Sequence, residues 1–279
     1  MTADLPHIVD GAAILSRHAM GSGHAGAILR LDLSDGRSAV AKTGAGLEVE
    51  AMMLRHLAAH GLPVPAVWHS SPGLLIMEHV DGTGRMTDGA EEHAAELLAA
   101  LHGITADRYG FAQDTTIGPL PQPNGPMEDW HQFFAERRLL HMARAARDEG
   151  RLPAGLSGQV EMLCGKLSGL LGPPGPPSLL HGDIWGGNVL VRGGRVAAFI
   201  DPAIYHGDAE VELAFTTLFG TFGQSFFRRY NEIRPLRPGF FEVRRDVYNL
   251  YPLLVHVRLF GGSYVGQLRT ILDRFAGRP

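Results

Sequence analysis

The 279-residue chain contains a single cysteine, Cys164. One thiol cannot form a disulfide within the chain, which fits a reducing compartment. No uninterrupted apolar run approaches the roughly 18 residues that a membrane-spanning helix needs. Residues 1–15 also lack the basic start and long apolar stretch of a secretion signal. We therefore expect a cytoplasmic protein that does not bind a membrane.

The sequence has no excess of positive charge. Its 25 lysine and arginine residues are outnumbered by 29 aspartate and glutamate residues, and the formal net charge is -4. Proteins that bind a phosphate backbone usually present a strongly basic face, so nucleic acid is not expected as a partner. Hydrophobic residues make up 45% of the chain, which is enough for a core without a structural metal or a disulfide.

The N-terminal part of the chain has the pattern of strands around one helix. Residues 27–33 alternate between apolar and polar, and residues 38–42 return as a second strand after the hairpin signal Asp35-Gly36. An amphipathic helix is predicted at 47–60, and residues 73–78 have the composition of a buried strand.

The remainder of the chain is mostly helical in pattern. Two proline-rich stretches, 115–126 and 172–177, are predicted to be loops because proline fixes φ and lacks an N–H donor. Together these patterns predict an α+β fold of two lobes, with a small β-rich lobe at 1–80 and a large helical lobe at 81–279. The helices are predicted near 90–102, 127–149, 155–171, 208–220, 223–230, 239–260 and 263–275.

A glycine-rich segment, Gly21-Ser-Gly23-His-Ala-Gly26, matches the pattern G-x-G-x-x-G. A dinucleotide-binding fingerprint would need a helix after the glycines, whereas here a strand and a hairpin follow. A strand–glycine loop–strand arrangement is typical of the loop that closes over nucleotide phosphates in kinases. Gly21 and Gly23 are therefore candidate phosphate-binding residues, and a simple flexible turn is the alternative.

Lys42 ends the second strand of the hairpin, where a lysine that pairs with nucleotide phosphates is expected. Such a lysine needs a carboxylate on the following helix to hold its ammonium in place. Glu50 is the preferred partner because Ala51 and Leu54 place it beside the buried stripe of that helix, and Glu48 is the alternative.

The segment with the most specific chemistry runs from His181-Gly-Asp183 through Asn188 to Asp201. Phosphoryl transfer needs a carboxylate to orient and partly deprotonate the attacking hydroxyl, and Asp183 is predicted to be this base. Mg²⁺ prefers oxygen ligands, which Asn188 and Asp201 would supply. Protein kinases carry arginine at the position of Gly182, so this departure favours a small-molecule kinase.

These residues resemble the aminoglycoside phosphotransferase and choline kinase group, and more narrowly the fructosamine kinase family. The narrow resemblance is carried by His181-Gly-Asp-Ile-Trp-Gly-Gly-Asn188, by the run from Ile200 to Ala214, and by the segment from Tyr109 to Leu139. It covers essentially the whole chain and implies a protein-kinase-like fold.

The resemblance implies that ATP, with Mg²⁺, phosphorylates a sugar hydroxyl of a ketosamine such as fructosamine or ribulosamine, free or attached to a protein. It places the adenine-binding hinge at Met77-Glu78-His79-Val80. The alternatives are an aminoglycoside- or choline-type phosphotransferase and, in a different class, a pseudokinase that binds nucleotide without catalysis. A pseudokinase would typically have lost the lysine, the base or a metal ligand, and all are present here.

Four residues are candidates for contact with the acceptor substrate. Trp185 could stack on a sugar ring or cover an amine cation, or it could simply pack the catalytic loop. Asp129 could wall the acceptor site or merely cap a helix. Asp208 and Glu210 could attract a substrate amine or favour a helix N-terminus.

Overall fold

The computed structural model describes residues 5–23 and 26–277, without the side chains of residues 22 and 23. Its N-terminal lobe is a six-stranded antiparallel sheet in the order β1-β2-β3-β4-β6-β5, with one helix packed on it. The elements are β1 (Ile8–Val9), β2 (Ala12–Gly23), β3 (Gly26–Leu33), β4 (Ser38–Thr43), α1 (Leu47–Ala59), β5 (Val67–Ser71) and β6 (Leu74–Glu78).

In the predicted hairpin, the apolar residues of the alternating pattern are the ones buried on one face of the sheet. Leu31 and Leu33 on β3 pack with Ala39 and Ala41 on β4, and all four are at most 2% exposed. On the other face, α1 packs its apolar stripe against β6, with residues Leu47, Ala51, Leu54, Leu75 and Met77 in contact. The predicted strands and helix of this lobe are confirmed, because one buried face selects both the register and the helix orientation.

The C-terminal lobe is mostly helical, with three short pairs of strands inserted between the helices. Its helices are α2 (Asp88–Leu101), α3 (Trp130–Phe133), α4 (His141–Asp148), α5 (Ala154–Cys164), α6 (Leu167–Leu171), α7 (Ala209–Leu218), α8 (Gln224–Ile233), α9 (Arg245–Phe260) and α10 (Ser263–Phe275). Its strands are β7 (Thr115–Ile117), β8 (Leu120–Gln122), β9 (Ser178–Leu180), β10 (Val189–Arg192), β11 (Arg195–Phe199) and β12 (Tyr205–Gly207).

The prediction of an irregular loop at 115–126 is wrong in its first half. Strands β7 and β8 pair there as a short antiparallel hairpin. Pro121 is tolerated because a two-stranded ribbon has open edges where no N–H donor is required. The hairpin is held by Gln122, whose buried side-chain amide donates to Thr115 Oγ1 (2.8 Å) and to the carbonyl of Ala203 (2.9 Å).

Two predicted helices contain a wider turn that periodicity alone did not indicate. The helix predicted at 127–149 runs from α3 through a π-helical segment, Phe134–Leu140, into α4. The helix predicted at 239–260 likewise begins with a π-helical segment, Phe240–Arg244, before α9. The helix predicted at 155–171 is instead broken between α5 and α6.

The core of the C-terminal lobe is aromatic where α3 meets α9. Trp130 is fully buried, stacks on Phe133 and Phe134, and donates its indole N–H to the hydroxyl of Tyr248 (3.0 Å). Cys164 is half-buried, and burial raises the pKa of its thiol to about 12, so it remains a neutral packing residue. Within residues 5–23 and 26–277, no helix combines the length and apolar character needed to cross a membrane.

Candidate active site

Two segments that lie apart in sequence are joined beneath the cleft between the lobes. Strands β9 and β12 pair antiparallel, and the amide of Ala203 donates to the carbonyl of His181 (2.8 Å). A 3-10 turn, Gly186–Asn188, then leads into the β10–β11 hairpin, whose open end carries Asn188 and Asp201. The amide of Ile200 donates to the carbonyl of Asn188 (3.0 Å) and closes this end.

Asn188 orients the catalytic-loop carboxylate. Its side-chain amide nitrogen donates to both the backbone carbonyl and Oδ2 of Asp183, each at 2.9 Å. Because both amide hydrogens are directed at Asp183, the amide oxygen is the free end of the Asn188 side chain. Asn188 itself is 3% exposed, so the two side chains form a rigid pair.

Asp201 has an unusual backbone conformation. Its φ is 54°, one of two positive values among the described residues other than glycine. A non-glycine residue persists in this region only where the surrounding structure holds it, as at many functional sites. Its carboxylate remains 46% exposed toward the cleft.

Lys42 connects the two lobes through its ammonium group. The ammonium donates to Glu50 Oε1 at 2.7 Å, and it also contacts Asp201 Oδ1 across the cleft. Of the two predicted partners, the structure therefore brings Glu50, and not Glu48, to Lys42. Burial opposes the charged ammonium, but Glu50 and Asp201 outweigh it and raise the pKa of Lys42, so its charge is retained.

The environment of Asp183 suits a general base. Burial, followed by the negative charge of Asp201, raises its pKa to about 7, while the hydrogen bond from Asn188 acts in the opposite direction. A general base is most effective when its pKa lies near the working pH. The geometry thus combines an oriented carboxylate with a proton affinity matched to neutral solution.

The carboxylate of Glu212, on α7, supports the backbone just before Asp183. It accepts hydrogen bonds from the amides of Gly182 (2.5 Å) and His181 (3.4 Å), and its side chain is fully buried. Gly182 has a φ of 87°, and a Cβ there would overlap the carbonyl oxygen of Ala203. Gly182, where protein kinases carry arginine, is therefore held to glycine by its backbone conformation and by the carbonyl of Ala203.

A buried polar chain continues from Glu212 into the helices. Glu212 Oε2 accepts a hydrogen bond from His102 Nε2 (2.9 Å). His102 Nδ1 is in turn hydrogen-bonded to the hydroxyl of Tyr230 (2.8 Å). Neither Glu212 nor His102 was predicted from the sequence to support the site. No local pattern announces them, because they lie 110 positions apart and meet only when α2 packs near α7.

The available oxygen donors fit a magnesium ion. Mg²⁺ takes carboxylate and amide oxygens and keeps several waters. The exposed carboxylate of Asp201 and the free amide oxygen of Asn188 stand at the same end of one hairpin, beside Asp183. Among the described residues, no group of three or more histidine, cysteine, aspartate or glutamate side chains is placed to hold a metal ion.

The predicted hinge, residues 77–80, begins within strand β6 and continues past its end. The amides of Glu78 and His79 are already used, by the carbonyls of Ala66 (2.8 Å) and Ser38 (3.1 Å) respectively. Within the described chain, Val80 is the first residue after Met77 whose amide donates no backbone hydrogen bond. Of the four predicted hinge residues, Val80 is therefore the one whose amide is left unused by the sheet and its flanking loop.

The glycine-rich segment lies at the tip of the hairpin between β2 and β3. Gly21 belongs to β2, and Gly23 pairs with Gly26 across the turn. A strand therefore precedes and follows the glycines, which agrees with the kinase-type reading and not with a dinucleotide-binding helix. Residues 24 and 25 lie outside the described residues.

Trp185 and Asp129 occupy different surroundings. Trp185 is 42% exposed and covers Gly187 so closely that a Cβ at that glycine would overlap the indole ring. Asp129 caps α3, accepting from the amide of Gln132 (2.7 Å). Capping accounts for Asp129, whereas Trp185 remains partly exposed two residues after Asp183.

The predicted substrate contacts of Asp208 and Glu210 are not supported by their positions. Asp208 and Glu210 are 2% and 5% exposed. Arg237 binds both carboxylates (2.7 and 2.8 Å), and Arg244 binds Glu210 (2.5 Å). Asp208 also caps α7. Carboxylates buried and neutralised by arginines cannot receive a substrate amine, so we assign them a structural role.

The fold, the base and the lysine pair define a small-molecule kinase of the protein-kinase-like class, and comparison with known proteins gives the family. The fructosamine kinase family model matches residues 37–277, so the chain belongs to the fructosamine kinase family. A Synechocystis protein named as a probable ketoamine kinase is 38% identical over 235 residues, or 81% of this chain and 77% of that protein.

Other relatives extend the comparison. The chloroplastic protein-ribulosamine 3-kinase of Arabidopsis thaliana is 35% identical over 72% of this chain and 61% of its own length. A crystal structure from Thermobifida fusca, provisionally named a fructosamine-3-kinase, has a TM-score of 0.89 with 36% identity and covers 97% of this chain and 96% of its own. The aminoglycoside phosphotransferase APH(4)-Ia shares the fold, with a TM-score of 0.65 at 20% identity and 95% coverage of both chains.

Proposed function

We propose that this protein transfers the γ-phosphate of ATP to a sugar hydroxyl of a ketosamine. The observation that carries the proposal is the meeting of the two lobes at Lys42, whose ammonium contacts both Glu50 and Asp201. A nucleotide bound between hinge and glycine turn would place its phosphates at this cation. The names of the ketoamine kinase relatives support a sugar amine, free or attached to a protein, as the acceptor.

Each residue of the site has a defined task in this reaction. Val80 donates a hinge hydrogen bond to the adenine, Gly21 and Gly23 lie over the phosphates, and Lys42 neutralises them. Asp183 orients the acceptor hydroxyl and takes its proton, while Asn188 keeps that carboxylate in one orientation.

Asn188 and Asp201 would hold Mg²⁺ through their oxygens. When bound, the ion supplies positive charge to the triphosphate. The Asp201 side chain is 46% exposed, so its carboxylate would have room for the ion beside its contact with Lys42. The expected cytoplasmic location remains a prediction.

The test is a screen of acceptors with the purified chain and Mg-ATP. ADP release is measured with fructosyl-lysine, ribulosyl-lysine, an aminoglycoside and choline, and phosphorylated product is identified by mass spectrometry. We expect turnover of the two ketosamines. Activity confined to the aminoglycoside or to choline would refute the proposed acceptor class, and no phosphorylation of any acceptor would favour a pseudokinase.

Two variants separate chemistry from contamination or binding. Asp183→Asn removes the base and should lower kcat by about 10²- to 10⁴-fold. Asp148→Asn changes a carboxylate that is 66% exposed at the end of α4 and should leave kcat unchanged. Equal activity in Asp183→Asn and wild-type protein would remove Asp183 from the mechanism.

A further inference from the structure

Five ring side chains form a connected surface that begins at the catalytic loop. We define the aromatic strip as Trp185, Phe219, His256, Phe260 and Tyr264. Ring centroids lie 6.4 Å apart for Trp185 and Phe219, 5.0 Å for Phe219 and His256, and 5.7 and 4.9 Å from His256 to Phe260 and Tyr264. Four separate segments of chain therefore contribute to one surface.

The strip remains accessible along its length. Trp185, Phe219 and Phe260 are 42%, 39% and 53% exposed. Single exposed apolar side chains are common, but a contiguous group that starts at a catalytic site marks an interaction surface. Phe219 also contacts Phe215 (6.0 Å), which lines a small cavity beside Gly182, so the strip is continuous with the catalytic loop.

The strip is uncharged, whereas the end nearest the catalytic loop is acidic. His256 donates from Nδ1 to the carbonyl of Pro252 (2.7 Å), and burial lowers its pKa, so the ring is neutral at pH 7. Asp183 and Asp201 lie at the end of the strip nearest the catalytic loop, which Trp185 begins. A ligand that matches this polarity has a cationic nitrogen near Trp185 and an apolar group further out, because aromatic faces attract both.

We propose that the aromatic strip binds the substituent on the ketosamine nitrogen and selects acceptors in which this substituent is apolar or aromatic. The inference rests on the proposed function. A sugar hydroxyl held at Asp183 and an amine beside Trp185 leave the rest of the acceptor to project outward, and the strip is the apolar surface that leads away from that point. The reacting atoms are remote from Phe260, so the strip acts on KM and not on kcat.

The experiment compares two acceptors with the same sugar, fructosyl-glycine and fructosyl-phenylalanine. We expect wild-type protein to have a KM about fivefold to tenfold lower for the phenylalanine adduct, with similar kcat. Phe260→Ala and Phe219→Ala should each remove most of this difference by raising the KM for the phenylalanine adduct. Both side chains are partly exposed, so truncation should not prevent folding.

Phe241→Ala is the matched control, because Phe241 is 43% exposed but packs with Phe227 and Phe240 away from the strip. It should retain the wild-type difference between adducts. Equal KM values in wild-type protein, or an equal loss on both adducts in Phe260→Ala, would overturn the inference alone. Failure of wild-type protein to phosphorylate either adduct would overturn the proposed function and the inference together.

Discussion

The buried carboxylate of Glu212 offers a sharp test of how the catalytic loop is held. Its two oxygens accept from the amides of Gly182 and His181 and from His102 Nε2. In Glu212→Ala, all of these buried donors lose their acceptor. Each buried donor left without an acceptor costs about 1–3 kcal/mol, and the His181 amide costs least because its bond is already long. The free energy of unfolding should therefore fall by about 4 kcal/mol.

Glu212→Gln should be much milder, and the reason lies in the partners. The amide oxygen can accept from Gly182, and the amide nitrogen can donate to His102 if that ring shifts its proton to Nδ1. Tyr230 can accept from this tautomer, because its hydroxyl is both donor and acceptor. The weak bond from His181 is lost and the Tyr230 O–H no longer has His102 as its acceptor, so the unfolding free energy should fall by about 1–2 kcal/mol.

Urea unfolding followed by tryptophan fluorescence measures both values. Steady-state kinetics should show kcat reduced about a hundredfold in the alanine variant, because the backbone before Asp183 loses its support, with partial rescue in the glutamine variant. Glu92→Ala, which removes an exposed partner of Arg228, should change stability by less than about 0.5 kcal/mol. Equal destabilisation by alanine and glutamine at position 212 would refute the reasoning.

Three further predictions follow from the site and its supports. With Asp183 as the proposed base and its pKa raised to about 7, kcat/KM should fall as the pH is lowered through 7, and a profile flat from pH 6 to 8 would contradict this proposal. Lys42→Ala should lower kcat/KM for ATP about 10²- to 10³-fold and Glu50→Gln about tenfold; unchanged ATP kinetics would make the pair structural. Burial opposes ionisation of Glu210, but hydrogen bonds from Arg244 and Arg237 outweigh this effect and lower the pKa of Glu210. The stabilisation from ionised Glu210 is therefore complete above the unfolded-state pKa near 4.5, and it is lost as the pH falls through the lower folded-state pKa. Glu210→Gln should lower the free energy of unfolding by about 3 kcal/mol at pH 7. In urea unfolding at acidic pH, the variant should lose less additional stability than the wild-type protein does.

Local patterns were sufficient to predict the groups that stand on adjoining elements. Asp183 and Asn188 are five positions apart and meet within one turn, and Lys42 and Glu50 are joined by a strand and the helix that follows it. Neighbouring elements constrain such pairs, because a buried stripe selects which side of the helix faces the sheet. The two lobes and most helix limits were predictable for the same reason.

Other features depend on packing between distant segments. The acidic run that contains Asp208 and Glu210 has the same sequence whether it faces solvent or arginines, and only the fold brings Arg237 and Arg244 to it. The π-helical segments are likewise invisible to a periodicity of 3.6 residues, because they insert a single wider turn without changing which residues are apolar.

By itself, the sequence determined the residue types of the candidate site and the alternation that builds the N-terminal sheet. From these it predicted a carboxylate base, oxygen ligands for a hard cation and a lysine paired with a glutamate. Only the tertiary structure decided which carboxylates remain accessible and which are neutralised, and how exposed rings from four segments join beside Trp185. The physical reason is that residue type and spacing specify local geometry and reactivity, whereas burial, charge pairing and surface continuity depend on contacts across the whole chain.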